Sequence, residues 1–110
     1  MAANPDSTVL DEIEALLRAP DGGAGAPTLA RLEHTLTEGY ARALVLEAER
    51  WRVERRLGEM GRTIADADAA AVADELASLG SRLSSAEGEL RQLRTLLGTL
   101  RSRARVVRRS

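Results

Sequence analysis

The chain has no cysteine, no phenylalanine and no lysine, and its only aromatic residues are Tyr40 and Trp51. Without cysteine there is no disulfide framework and no thiolate metal site, which fits a reducing compartment. Two aromatics are too few for the bulky packing of a typical sheet-based core. No apolar run approaches the length of a membrane-spanning helix, and Met1–Ser7 offers neither a basic nor an apolar leader region. A cytoplasmic location is therefore expected. All 16 basic residues are arginine, the mark of GC-rich coding. An arginine here is in the first instance simply the only cation the chain uses.

What is present is 19 alanines and 17 leucines among 110 residues, with 44% hydrophobic and 30% charged side chains. That is the composition of long helices and coiled coils, at a length that suits one domain. The expected fold is all-α: an antiparallel coiled-coil helical hairpin with a short N-terminal amphipathic helix.

The pattern along the chain divides it into residues 1–19, a linker at 20–27 and a hairpin at 28–110. In the first part Val9, Leu10, Ile13, Leu16 and Leu17 line one helix face, with Thr8 as a candidate cap. Pro20 through Pro27, with three glycines between them, ends that helix. Thr28 is the candidate cap of a second helix, residues 28–65. Its heptad carries Leu29, Leu36, Ala43, Arg50, Leu57 and Ile64 at a, and Leu32, Gly39, Leu46, Val53 and Met60 at d. A third helix, residues 69–108, carries Leu76, Leu83, Leu90, Leu97 and Ala104 at a. Its d positions are Val72, Leu79, Ala86, Leu93, Leu100 and Val107.

The two repeats are out of phase. Continuing the first frame puts Ala71, Asp74 and Ser78 in the seam, whereas the leucines fall at 76 and 79. One straight helix cannot keep both stripes on one side. A reversal within 65–71, with Asp68 or Asp66 capping the third helix, removes the conflict. The resulting register sets Leu57 on Leu79, Gly39 on Leu97 and long Arg50 on small Ala86. Glu33 then attracts Arg108 and Glu47 attracts Arg94, while Glu49 and Glu89 are like charges.

The second helix has more apolar surface than the hairpin uses. Tyr40, Leu44 and Trp51 form a second stripe flanked by Arg52 and Arg55. The first expectation is that the N-terminal helix folds back onto this stripe to complete a three-helix bundle. The alternative is a docking surface for a protein partner or for self-association as a homodimer, either by a second hairpin packing there to give a four-helix dimer or by the N-terminal helix swapping into a neighbour, because a Trp/Tyr/Arg patch has the make-up of an interface anchor. Arginines 50, 52, 55 and 56 are interleaved with glutamates at helical spacing, so intrahelical ion pairs are expected there rather than a nucleic-acid patch.

A net charge of −1 hides a strong asymmetry: the last twenty residues carry seven arginines and no acid, against 9 arginines and 17 acids before them. Arg101, Arg103, Arg105, Arg108 and Arg109 are thus candidate anion contacts, with nucleic acid the first ligand to consider. Macrodipole complementarity and internal neutralisation by the acidic N-terminal segment are the competing explanations.

No catalytic constellation is present. His34, the sole histidine, falls at an outward f position, and with Glu38 it offers at most two ligands, short of a zinc shell. The serines have no histidine near them in sequence, and Gly22–Gly25 lack the strand and Lys-Ser/Thr of a phosphate loop. No enzyme activity, cofactor, metal or small-molecule substrate is expected. The sequence points to a scaffold, adaptor or assembly protein working through helix–helix contacts, with anion binding by the arginine-rich end as the alternative.

Overall fold

A computed structural model of the chain describes residues 9–63 and 68–109. The order is α1 (Val9–Arg18), α2 (Leu29–Thr63) and α3 (Ala69–Arg109), and no strand occurs among the described residues. The two long helices pack against each other as a hairpin, preceded by the short N-terminal helix. The expected Thr8 cap, Ile64 and the turn residues at 64–67, Asp66 included, lie outside the described residues.

Local chemistry accounts for the helix ends. Thr28 caps α2: its Oγ1 accepts from Arg31 N at 3.1 Å, and its carbonyl accepts from Leu32 N. Asp68 does the same for α3, with Oδ1 accepting from Ala70 N at 3.0 Å and its carbonyl from Val72 N. Each cap satisfies amide donors that a helix start leaves without a partner. Between α1 and α2 the chain turns at Gly23, whose φ of +85° suits a residue without a Cβ.

The phase break is real. Ala71, Asp74 and Ser78 are exposed, whereas Leu79, Ala86, Leu90, Leu93, Leu97 and Leu100 are buried. One expected seam residue departs from the pattern: Leu76 is 40% exposed. It sits close to the start of α3, among the exposed alanines Ala69, Ala70, Ala71, Ala73 and Ala77, which supply little side chain to cover it.

Two compact units make up the fold, one within Met1–Ala43 and Gln92–Ser110, the other Leu44–Arg91. In the second, Val53, Met60 and Leu79 form a buried cluster with Leu57, Val72 and Leu83 packed against it. Ala86 is buried there, and Arg50 is half-buried with its Nε 3.6 Å from Glu54. Two cross-helix arginine–glutamate pairs flank this core at g positions. Arg82 donates to Glu49 at 2.6 Å, and Arg56 donates to both oxygens of Glu75 at 2.6 and 3.2 Å. The like-charge conflict foreseen for Glu49 therefore does not arise, because the g residue that reaches it is Arg82. The Arg82 hydrogen bond holds the Glu49 carboxyl below its usual pKa, and the Arg56 bond does the same for Glu75.

The core of the first unit contains Leu32, Leu36, Leu93, Leu97 and Leu100, with Ile13 and Leu16 supplied by α1. Gly39 and Leu97 meet as the register requires. A Cβ on Gly39 would run into Leu97 Cδ2 and would lie 3.5 Å from Ile13 Cδ1. The missing side chain is thus what admits both neighbours. At e positions of this unit Arg108 is paired with Glu33, as expected, and Arg101 donates to the Tyr40 hydroxyl at 3.3 Å.

Candidate interaction surfaces

In the unit Leu44–Arg91, three large apolar side chains on the outer b and c positions of α2 face solvent. Leu44 is 67% exposed, Val45 54% and Trp51 59%. Ala48, one turn from both Leu44 and Trp51, is half-buried and extends the strip. The guanidinium of Arg55 lies over the Trp51 ring, 5.2 Å from its centroid, where the negative face of the indole attracts a cation. Arg52 donates to Glu49 at 3.2 Å, Arg55 lies 3.7 Å from Glu59, and Arg56 is shared between Glu59 and Glu75. The interleaved charges of this stretch are therefore ion pairs, as their spacing implied, with Arg55 in addition stacked on the indole.

The expected seat of α1 needs correction. Rather than covering Tyr40, Leu44 and Trp51, α1 packs in the first unit through Ile13, which is fully buried, and Leu16, with Ile13 reaching the space beside Gly39 and Leu97. The reason lies in the two flanks of the hairpin there. The e flank is filled with polar pairs, Glu33–Arg108 and Tyr40–Arg101. At g stand Thr35, which is buried, and half-buried Leu96. An amphipathic helix gains more from the second surface. Tyr40, 40% exposed and bonded to Arg101, belongs to this unit's own polar network.

A further residue fixes α1. Arg103 Nη1 donates to the carbonyls of Leu16, Leu17 and Ala19 at 2.9, 3.1 and 3.4 Å, and its Nη2 lies 2.8 Å from Asp21. A helix C-terminus leaves carbonyls without partners and carries partial negative charge, so a guanidinium there satisfies both needs. Gln92 adds a bond to Glu14 at 3.3 Å. The arginine run marks Arg103 only as a candidate anion contact; its g position beside Thr35 and Leu96 is the signal for the clamp. Beside the clamp, Asp21, Thr99, Ser102, Arg103, Val106 and Val107 line an open cleft of about 340 Å³.

Of the five arginines proposed to meet an anion, Arg101, Arg103 and Arg108 are thus engaged within the unit, while Arg105 and Arg109 are exposed. His34 and Glu38 form a surface pair at 3.0 Å. Among the described residues no group of three or more His, Cys, Asp or Glu side chains is placed to share a metal ion, and no helix is long and apolar enough to cross a membrane. Comparison with protein families, curated proteins and solved structures finds no match.

Proposed function

We propose that the chain is a non-enzymatic, cytoplasmic coiled-coil scaffold or adaptor that works through helix–helix contacts and assembles as a homodimer. The observation that carries this reading is the exposed Leu44–Val45–Trp51 strip with Arg55 stacked on the indole. Exposed single apolar residues are ordinary on protein surfaces. Three large ones within eight residues of one helix, including the sole tryptophan, form a contiguous patch of the kind that marks interfaces. Tryptophan and arginine are also the residue types that most often anchor such contacts. Arg52 and Arg55, each already near a glutamate, supply a polar rim.

The test is solution mass. Sedimentation equilibrium on the full chain is expected to give a dimer, and Trp51→Ala to shift it toward monomer at the same concentration. A wild-type monomer, or a dimer indifferent to Trp51→Ala, removes the proposal. The alternative, anion binding by the arginine-rich end, is supported only by exposed Arg105 and Arg109. Titration with duplex DNA or RNA at two salt concentrations distinguishes it, since phosphate contacts weaken steeply with salt.

A further inference from the structure

We propose that α1 is an exchangeable element, and that the groove it fills on the hairpin takes the α1 of a second copy of this chain. This concerns the unit that contains the N-terminal helix and is independent of the Trp51 strip.

Three observations carry the inference. The first is that the attachments described for α1 lie on one side of a hinge. Ile13, Glu14, Leu16, Leu17, Ala19 and Asp21 make the contacts with Gly39, Gln92 and Arg103. Immediately after them come Gly22 and Gly23, around which nothing lies within 4 Å of a would-be Cβ, and Gly23 already holds a positive φ. Within the connector, Ala26 N donates to the Gly23 carbonyl in a turn and Gly25 rests on Pro20. Rotation at the hinge therefore carries these attachments away together, and an identical helix from another copy restores them.

The second observation is that α1 is held by little. It has ten residues and two buried side chains, and a helix of that length is marginal in water by itself. It opens far below the cost of unfolding the hairpin.

The third is that the groove is specific and cannot stay empty. Opening uncovers the site beside Gly39 and Leu97, an apolar surface that must be covered again. The Arg103 clamp adds a chemical requirement that α1 meets: a helix C-terminal end whose carbonyls can accept from Nη1, followed by a carboxylate.

Mass action then sets the concentration range. A short flexible connector gives its own helix an effective concentration of about 1 mM. The closed form, in which each chain seats its own α1, dominates at micromolar protein, and reciprocal exchange becomes substantial as protein concentration approaches that value.

The absence of cysteine makes the test clean. Glu14 and Gln92 are in contact across the groove, so thiols placed there report the docked geometry through a short bismaleimide cross-linker. A chain carrying both Glu14→Cys and Gln92→Cys is expected to link within itself at micromolar concentration. A mixture of the two single variants links between copies only through exchange. That heterodimer should rise on the order of tenfold between about 10 μM and 1 mM and exceed the Glu14→Cys homodimer. It should vanish when the Glu14→Cys chain also carries Ile13→Asp, and survive Trp51→Ala in both chains. A heterodimer no more abundant than the homodimer, or one indifferent to Ile13→Asp, overturns the proposal. Dependence on Trp51 overturns it too, by showing that another contact brings the copies together. Failure of the double variant to close on itself removes the docked geometry on which it rests.

Discussion

Arg103 holds the C-terminal end of α1. Its Nη1 spans three carbonyls while Nη2 reaches Asp21, a fork that an ammonium group lacks. Arg103→Ala is expected to cost about 1–2 kcal/mol, the worth of a partly exposed charged hydrogen-bond set. The loss should fall on α1: amides of Val9–Arg18 exchange faster with deuterium while those of Leu44–Arg91 keep their protection. Arg103→Lys should recover less than half of it. Uniform loss of protection along the chain would mean that the clamp acts on the whole fold instead. Gly39 offers a second test. An alanine gains about 1 kcal/mol of helix propensity, but its Cβ collides with the buried Leu97 and crowds Ile13, an overpacking cost of about 1–3 kcal/mol. Gly39→Ala should therefore lower the urea midpoint.

At the scale of the element, glycines in α3 behave oppositely. A Cβ at Gly80 or Gly88 meets nothing within 4 Å, so Gly80→Ala and Gly88→Ala should each stabilise by about 0.5–1 kcal/mol, seen as a higher melting temperature. The paired carboxylates give α2 and α3 a pH dependence. Glu49 and Glu75 are held below the ordinary carboxyl value of 4.5 by Arg82 and Arg56. Their stabilisation is complete above that pH and is lost as pH falls through the lowered folded values, because the unfolded chain there binds more protons. Both pairs are exposed and screened by salt. Melting curves between pH 7 and pH 3 should drop, and drop less in the Glu49→Gln, Glu75→Gln double variant or at high salt.

These same elements show what the sequence disclosed. The seam residues, the caps Thr28 and Asp68 and the reversal between α2 and α3 follow from local chemistry and a period of seven, so they were legible. The seat of α1 was not, because it depends on a competition between two flanks. The aromatic stripe drew attention to Tyr40, Leu44 and Trp51, whereas Thr35, Gly39 and Leu96 are individually unremarkable and become a groove only when α2 and α3 lie side by side. Leu76 failed for the complementary reason: periodicity placed it in the seam, but its alanine neighbours leave it uncovered.

For the molecule as a whole, the charge asymmetry is the feature most changed by folding. Seven arginines in the last twenty residues read as a polyanion site on paper. In the fold Arg101, Arg103 and Arg108 face a phenol, a helix end and a glutamate. Nucleic-acid binding, if measured, should therefore show a shallow salt slope, of about two released counterions rather than five to seven; a steep slope would mean that the tail abandons these internal partners. Arg105→Ala with Arg109→Ala should abolish what binding there is.

The exposed position of Trp51 has an experimental consequence. The only indole in the chain stands outside both hydrophobic cores, with a guanidinium over its face. In the folded monomer its emission should already be long-wavelength and readily quenched by iodide or acrylamide, and should move little on denaturation. Fluorescence is therefore a poor gauge of the monomer's unfolding, which far-UV circular dichroism must follow instead. For the same reason it is a quiet baseline against which a blue shift, or protection from quencher, reads directly as something settling on that face.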